Sequence, residues 1–312
     1  MRSPVTYVLR KGAMGDVLWM EPVIRSLAAT HKKVVVVSQY GELFNHYPLK
    51  NVSFAAKLPP LEKVLYWLGK LLKIQYRFIN LKDAYEVNPG VHLVLAYFMK
   101  AKQRARLTYP SLYLSDDEKR RRIVKYSRYV VLHVERYVHD FRFRNVVGID
   151  WPRIVCDLRA LGLDVVQIGK RENQIDGVDF VNASIRNLMV LINQCCFFIG
   201  PDSGPAHIAA TLGKPAIILF GSIDPWLRHI KHQFRGIMIQ GNCVYAGCYH
   251  LQRHGDQTCL IEGDEPTRIP PCSVHSTDRL KQSIRALISR CDLEPKSVLR
   301  VSEGCRCSAG AG

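Results

Sequence analysis

The 312-residue chain has the composition of an ordinary globular protein, with 47% hydrophobic and 23% charged residues. It lacks both a secretion signal and an apolar run near the roughly 20 residues of a membrane-spanning helix, so we expect a cytoplasmic protein. The net charge of +17 indicates an anionic partner, and the length suits two domains of about 150 residues each.

Strands and helices alternate through the first half of the chain. The four valines at 34–37 are typical of a buried strand, whereas apolar residues at 17–27 have helical spacing. The sequence predicts strands at 5–10, 34–37, 52–55 and 77–81, and helices at 17–27, 61–78 and 91–101.

The second half repeats this alternation. We predict strands at 129–133, 164–168, 196–200 and 215–220, and helices at 151–161, 185–194 and 204–212. Alternation favours an α/β fold, with parallel sheets covered on both faces and ligands at the carboxyl ends of the strands. We predict one domain over 1–145, a second over 146–290 and a disordered tail over 291–312, with 142–150 as the linker.

A turn with two glycines joins the first predicted strand to the first predicted helix. Gly12 and Gly15 relax the backbone, and Asp16 falls at the cap or in the first turn of the helix. A helix cap is the ordinary role of such an aspartate. Alternatively, its carboxylate projects into a cleft as a general base. The glycine spacing does not match the dinucleotide-binding fingerprint.

A second polar turn lies between two buried strands late in the chain. Free backbone N–H groups and the positive end of a helix dipole meet there, which suits a phosphate group. The alternative is an ordinary capped helix between two parallel strands. The residues of this turn are Asp202, Ser203, Gly204, Pro205, Ala206 and His207.

Three motifs in this chain resemble those of glycosyltransferase family 9, the heptosyltransferases and their relatives. They are Gly15-Asp16, the 202–207 run, and residues 219–225, which are similar to the family's Phe-Gly-x-Thr-Asp-Pro with Ile223 in place of threonine. The similarity covers residues 5–30 and 150–290, and the three motifs occur in the family's order.

The resemblance implies a GT-B fold, in which two Rossmann-like domains with parallel sheets face a central cleft. It also implies an inverting bacterial glycosyltransferase that moves a heptose-like sugar from a nucleotide-diphosphate donor, expected to be ADP-linked. The acceptor would be a hydroxyl of an anionic glycan or lipid such as lipopolysaccharide core. Asp16 would be the general base, and the 202–207 turn would bind the donor. Transfer would need no cofactor or divalent metal.

Several charged residues are candidates for contacts with the donor. The departing diphosphate needs positive charge, which Lys170, Arg142 or Arg144 would supply unless they are solvated surface charges. Asp202 would repel a diphosphate, so its alternative roles are helix capping, orientation of backbone N–H groups or hydrogen bonds to sugar hydroxyls. His207 is a binding residue by resemblance alone, since a packed histidine is the more usual outcome.

The predicted helix at 61–78 mixes leucine, tryptophan and tyrosine with basic residues. It could lie on an anionic membrane surface or frame an acidic acceptor, or it could be a half-buried helix with a solvated basic face. Peripheral contact with the inner membrane face is one expectation. The charge of the whole chain also fits a nucleic acid, although no nucleic-acid-binding motif is present.

Ten cysteines in a chain without a secretion signal argue against a disulfide scaffold and raise the question of a metal. Cys243, Cys248, Cys259 and Cys272 have looser spacing than the paired thiols of a zinc ribbon, yet could close a structural iron or zinc site. The resemblance supports both outcomes. Comparable cysteines occur in family 9 without metal, while some protein-modifying heptosyltransferases bind iron through a cysteine cluster.

Three classes of function remain open at this point. The first is a lipopolysaccharide-type glycosyltransferase, and the second is a relative that acts on a protein or a modified nucleic acid. The third is a non-catalytic module that binds nucleotide sugars. The intact Gly15-Asp16 and 202–207 motifs weigh against the third class, because such a module has no need of a general base.

Overall fold

The computed structural model describes residues 5–72, 77–135, 142–251, 258–261, 263 and 269–291. These residues form two parallel β-sheets with helices packed against them, one from the first part of the chain and one from the second. The predicted α/β architecture with two parallel sheets is therefore confirmed. No helix within the described ranges is both long and apolar enough to cross a membrane.

The first sheet has four parallel strands with largely apolar sequences. They are β1 (Thr6–Leu9), β2 (Val34–Val37), β3 (Val52–Ala55) and β4 (Phe78–Asn80), in the order β3-β2-β1-β4. The four valines of β2 are all buried, as continuous apolar strands in a covered parallel sheet should be. β1 pairs with both β2 and β4, so the turn that follows β1 opens from the interior of the sheet.

The helix predicted at 17–27 is divided into two. Pro22 has no N–H to donate, so the helical hydrogen-bond pattern is interrupted next to Met20. A short helix after the N-cap Ser115 was not predicted. The helices of this part are α1 (Met14–Trp19), α2 (Glu21–Thr30), α3 (Pro60–Leu71), α4 (Leu93–Lys100) and α5 (Asp116–Arg120).

Helix α3 has no buried residue. Leu61 is 70% exposed, Trp67 56% and Leu71 78%, and the ring of Tyr66 joins the helix to the sheet by packing on Phe78. The interpretation of this segment as a half-buried helix is therefore wrong, because its apolar side chains face solvent together with its basic ones.

The second sheet has six parallel strands in the order β10-β9-β8-β5-β6-β7. They are β5 (Tyr129–Val134), β6 (Asp164–Gly169), β7 (Asp179–Phe180), β8 (Phe197–Pro201), β9 (Ala216–Phe220) and β10 (Gly236–Gln240). The two strands that were not predicted, β7 and β10, form the edges. β8 and β9 are buried along their whole length.

Four helices cover the second sheet. They are α6 (Trp151–Ala160), α7 (Ile185–Gln194), α8 (Gly204–Thr211) and α9 (Thr277–Arg290). Each begins after a side-chain cap, Asp150, Ser184, Ser203 or Ser276, that accepts a hydrogen bond from the N–H three residues later. Helix α9 was not predicted, although a capping serine precedes it.

The second sheet starts before the predicted domain boundary at residue 145. β5 lies between β8 and β6, in the middle of that sheet, so the change from one sheet to the other falls ahead of Tyr129. The predicted linker at 142–150 follows β5 and contains the short 3-10 turn Arg142–Arg144. Except for Cys291, the predicted tail at 291–312 lies outside the described residues.

A buried ion pair joins the two parts of the chain. Arg186 of α7 donates to both carboxylate oxygens of Glu118 in α5, at 2.8 and 2.5 Å. It also donates to the backbone carbonyls of Leu43 at 3.3 Å and Tyr113 at 2.8 Å. The Arg186 interaction with Glu118 lowers the pKa of that carboxyl to about 2.

Candidate active site

Asp16 lies in the first turn of α1, three residues after the N-cap Ala13. Its Oδ2 accepts a hydrogen bond from the Ala13 N–H at 3.2 Å, so the carboxylate caps its own helix. Gly12 provides the room, since a Cβ there would lie 2.8 Å from Asp16 Oδ2. The side chain is still 19% exposed, which leaves the carboxylate accessible to a substrate.

Buried side chains fix the orientation of Asp16. Arg10, directly after β1, approaches Oδ2 at 2.9 Å. Tyr85 donates its hydroxyl to Oδ1 at 3.0 Å, and Tyr97 donates to the Asp16 backbone carbonyl at 3.2 Å. Burial and the Asp16 charge raise the pKa of both tyrosines, which therefore keep their protons and remain donors. The carboxylate is held in place before any substrate arrives.

Ser203 caps the helix that follows the 202–207 turn. Its Oγ accepts from the Ala206 N–H at 3.5 Å and lies 3.1 Å from His133 Nδ1. The other ring nitrogen of His133 lies 3.1 Å from Glu135 Oε2. The capping role considered for Asp202 therefore belongs to Ser203. The amino terminus of α8, with Pro205 in its first turn, has the N–H groups and dipole that suit a phosphate.

Asp202 follows β8 and is 2% exposed. Neither carboxylate oxygen has a hydrogen-bond partner among the described residues. His207 Nε2 lies 3.4 Å from Oδ1, and the nearer Arg144 nitrogen lies 3.9 Å from Oδ2. A buried carboxylate without hydrogen bonds is costly, so this arrangement indicates a site that a ligand or water completes.

His207 is buried one turn into α8. Its ring packs edge-on against Trp19 of α1 at 5.8 Å and lies 5.0 Å from the ring of His229. Burial, followed by the charges of Arg144 and Arg228, lowers the pKa of His207 to about 3. The imidazole is therefore neutral near pH 7 and can act as a hydrogen-bonding group but not as a cation.

The two turns that the sequence singled out lie against each other. A Cβ on Gly15 would stand 2.5 Å from His207 Cδ2, and a Cβ on Gly204 would overlap the side chain of Met14. Both glycines are thus required by the close approach of α1 and α8. The structure brings the candidate base and the candidate phosphate-binding turn into one place.

Lys170 does not lie near the contact between the two turns. Its side chain is 52% exposed, and its ammonium group lies 3.8 Å from Glu172. It follows β6, which β5 separates from β8, so about 10 Å of sheet lie between the two strand ends. Of the arginine candidates, Arg144 does reach the turn, through its approach to Asp202.

A cavity of about 790 Å³ opens beside β5, β6 and α6. This volume is in the range of small-molecule sites. Its apolar walls suit a planar base, and its carboxylates suit ribose hydroxyls. The lining includes Val134, Glu135, Trp151, Val155, Glu172 and Ile175.

Asp202, His207 and His229 also meet the spacing that a metal ion needs. Among the described residues, ligand atoms of these three buried side chains all lie within 4.8 Å of one another. Two positive charges oppose a cation there, because Arg144 lies 3.9 Å from Asp202 and Arg228 lowers the pKa of both histidines. The electrostatics of this group suit an anion better than a metal.

The four candidate cysteines are gathered in one region. Burial, followed by the neighbouring thiols of Cys248, Cys243 and Cys259, raises the pKa of the Cys272 thiol to about 12. Burial also raises the pKa of the Cys248 thiol, and Cys243 and Cys259 add to that increase. Four thiols fit iron or zinc chemically. Their sulfur atoms stand wider than a bound ion would hold them, since no three described cysteines have ligand atoms within 4.8 Å of one another.

The residues that surround the two turns were not predicted from the sequence. Arg10 and His133 could have been found, because each is a polar residue at the carboxyl end of an apolar strand. The others lie in loops or on a helix face, and no local pattern marks them. The missed residues are Arg10, Tyr85, Tyr97, His133, Arg228 and His229.

The family model for glycosyltransferase family 9 (heptosyltransferase) matches residues 182–243. This segment contains α7, β8, α8 and β9, and thus the whole 202–207 turn. Lipopolysaccharide heptosyltransferase 1 of Campylobacter coli is 24% identical over 121 residues, which cover 39% of this chain. The matched segment spans 32% of the length of that relative.

Solved structures resemble almost the whole chain. The iron-containing dodecameric glycosyltransferase TibC from enterotoxigenic E. coli H10407 matches with a TM-score of 0.71 and 15% identity, over 93% of this chain and 77% of TibC. E. coli ADP-heptose lipopolysaccharide heptosyltransferase II matches with a TM-score of 0.56 and 14% identity, over 92% and 99% of the two chains. The GT-B fold and the resemblance to glycosyltransferase family 9, which three short motifs predicted, are therefore confirmed for this chain.

Proposed function

We propose that this protein is an inverting glycosyltransferase that moves a heptose-like sugar from an ADP-linked donor to a hydroxyl of an anionic acceptor. One observation carries the proposal: α1, whose first turn holds the oriented carboxylate of Asp16, packs against the turn at the amino terminus of α8, because Gly15 contacts His207 and Gly204 contacts Met14. A base beside a phosphate-binding turn is what glycosyl transfer from a nucleotide diphosphate requires.

The second domain would bind the donor. The nucleoside would occupy the 790 Å³ cavity beside β5 and β6, and the diphosphate would lie at the amino terminus of α8. Ser203, whose hydroxyl already contacts His133, would be among its first partners. A structure of TibC in complex with ADP-D-β-D-heptose, with a TM-score of 0.70 to this chain, supports an ADP-linked sugar as the first donor to try.

Asp16 would remove the proton of the acceptor hydroxyl as that oxygen attacks the anomeric carbon. The bond from that carbon to the diphosphate oxygen breaks on the opposite face, so the configuration inverts and a nucleoside diphosphate leaves. Arg10 and Tyr85 keep the carboxylate in position for this step. General-base assistance of this kind contributes roughly 10²- to 10⁴-fold.

Lipopolysaccharide core is the acceptor that the charge of the chain supports best, because phosphorylated core would complement a net charge of +17. The first domain, which holds Asp16, would receive it. We place the protein in the cytoplasm, in peripheral contact with the inner membrane face. The apolar and basic side chains that α3 exposes support that contact.

A protein acceptor is the second candidate. It is favoured by the gathered cysteines and by the similarity to TibC, which is iron-containing. To hold a structural iron or zinc ion, the sulfur atoms of Cys243, Cys248, Cys259 and Cys272 would have to move closer together. Such an ion would stabilise their loops and take no part in transfer. Metal content of protein purified without added metal, compared with a Cys248→Ser variant, tests this assignment. A modified nucleic acid, or binding without catalysis, would appear as failure of transfer to both acceptors.

The central test is transfer from ADP-heptose to lipopolysaccharide core by wild type and Asp16→Asn. We expect the variant to lose at least about 100-fold in kcat, because the base is removed, while its affinity for ADP stays within twofold. Asp116→Asn is the matched control, since Asp116 is an exposed aspartate in a helical first turn. Equal rates for Asp16→Asn and wild type would remove Asp16 from the mechanism.

A further inference from the structure

A buried guanidinium lies where the two halves of the protein meet. Arg228 follows the short turn Pro225–Leu227 and is 3% exposed. Its guanidinium carbon lies 4.7 Å from the ring centre of Tyr85, in the first half, and 5.8 Å from that of Tyr249, in the second. Tyr85 donates to Asp16, so a single side chain separates Arg228 from the candidate base.

Arg228 has no anionic partner among the described residues: no carboxylate oxygen there comes within 4.0 Å of it. Its side chain makes one hydrogen bond in the same part of the chain, from Nη1 to the Leu227 carbonyl at 3.5 Å. Arginine does not lose its proton in proteins, and a buried unpaired charge is strongly unfavourable. Stability alone does not explain a cation at this position.

Four neutral histidines surround this cation. Burial is the main cause that lowers their pKa values, and the Arg228 charge lowers all four further. Each also has one buried ring nitrogen without a hydrogen-bond partner among the described residues. These atoms are His92 Nε2, His207 Nδ1, His229 Nε2 and His250 Nε2. The group therefore combines one positive charge with several unused hydrogen-bonding positions.

The pKa of the Tyr249 hydroxyl responds to the main charged groups of the site. Burial raises its pKa, Arg228 and Arg144 lower it, and Glu86 and Asp16 raise it. The charges of two guanidinium groups and of the candidate base thus act on the same hydroxyl. An anion with several oxygens, placed beside Asp16 and the 202–207 turn, would complement both cations. A phosphoryl group has this charge and number of oxygens.

We propose that Arg228 binds the sugar-proximal phosphoryl group of the donor diphosphate. This inference rests on the proposed function. When the bond from the anomeric carbon to the phosphoryl oxygen breaks, both electrons remain on that oxygen, and the guanidinium N–H groups donate hydrogen bonds to it. No proton is transferred. Arg228 takes the role for which Lys170, Arg142 and Arg144 were the candidates from the sequence.

Calorimetric titration with ADP, AMP and pyrophosphate tests this assignment, because AMP lacks the phosphoryl group that would reach Arg228. We expect Arg228→Met to weaken ADP and pyrophosphate at least tenfold and to leave AMP within twofold. Arg228→Lys keeps the charge but not the planar fork, so its losses should be intermediate. Arg235→Met, at an exposed arginine of the same domain, should change nothing.

Thermal unfolding of the ligand-free variants separates binding from a structural role. If Arg228 serves ligand binding and not stability, the unfolding midpoint of Arg228→Met will equal or exceed that of wild type, because the substitution removes an unpaired buried charge. A given concentration of pyrophosphate should raise the midpoint of wild type more than that of the variant, which binds it more weakly. A variant that does not fold, or melts several degrees lower, would identify Arg228 as structural and overturn the proposal.

The remaining outcomes distinguish this inference from the proposed function. Equal ADP affinity in wild type and Arg228→Met overturns the inference and leaves the donor assignment standing. Binding of pyrophosphate that depends on Arg228, without binding of ADP, keeps the anion site and overturns the ADP donor. Binding of neither ligand by wild type overturns both.

Discussion

Asp16 and Asp202 both lie beyond the carboxyl end of an interior strand, Asp16 in the first turn of α1 and Asp202 directly after β8, yet their surroundings differ. The Asp16 carboxylate contacts Arg10 and accepts hydrogen bonds from Tyr85 and Ala13, with its side chain 19% exposed. The Asp202 carboxylate is 3% exposed and accepts no hydrogen bond from the described residues. The Asp16 carboxylate has hydrogen-bond partners without a ligand, whereas the Asp202 carboxylate has none among the described residues.

This difference suggests a division of labour between the two domains. A general base must be oriented before the acceptor arrives, because misplacement of a reacting group is expensive in rate. A binding turn can instead remain unsatisfied until the ligand supplies the missing partners. The 12–16 turn fits the first description, and the 202–207 turn, with the histidines and Arg228 around it, fits the second.

The largest effect is expected where the two turns touch. Gly15→Ala places a Cβ 2.5 Å from His207 Cδ2, so α1 or α8 must shift. We expect transfer to fall about 100-fold, since an ångström of displacement at reacting groups has effects of this size, and stability to fall by about 1–3 kcal/mol. Gly90→Ala, where a Cβ would meet nothing within 4 Å, is the control. Wild-type rates in Gly15→Ala would show that the contact between the turns is not needed.

The next prediction compares the two aspartates directly by urea unfolding without ligand. Asp16→Asn removes the ion pair with Arg10, and we expect the free energy of unfolding to fall by about 1–3 kcal/mol. Asp202→Asn removes a buried charge that lacks hydrogen bonds, so we expect stability within about 0.5 kcal/mol of wild type, or higher. A loss as large for Asp202→Asn as for Asp16→Asn would mean that Asp202 is already satisfied.

The smallest effect concerns the ion pair that joins the two halves away from the turns. Arg186 lowers the pKa of Glu118 from 4.5 to about 2, so this pair contributes stability that is present above pH 4.5 and lost as the pH falls towards 2. Glu118→Gln should therefore flatten the pH dependence of unfolding between pH 4.5 and 2. Glu62→Gln, at an ion pair within the first half, is the control. An unchanged pH profile in Glu118→Gln would contradict the pairing.

The parts of the fold that the sequence predicts well are those set by short-range pattern. Valine-rich and phenylalanine-rich strands such as β2 and β8 are buried on both faces, so their composition is distinctive. The 12–16 and 202–207 turns could be placed together because each follows an interior strand at its carboxyl end. The exposure of α3 could not be predicted, because it depends on whether another part of the protein covers the helix, and the pattern of apolar residues does not determine this.

Other features depend on contacts between distant parts of the chain. The edge strands β7 and β10 are short or only partly buried, so they lack the long apolar run of a central strand. Arg228 reaches Tyr85 across more than a hundred residues, and the cavity beside β6 is formed by several loops. Nothing in the local sequence distinguishes such an arginine from a solvated one.

The close approach of Gly15 to His207 and of Gly204 to Met14 also has a mechanical consequence. With no space between α1 and α8, the two domains cannot translate towards each other at this point. Opening and closing of the protein around a donor would have to be a rotation about this contact, which would act as a hinge axis. Distant surfaces such as α3 would then travel furthest, while the distance between Asp16 and the 202–207 turn would change least.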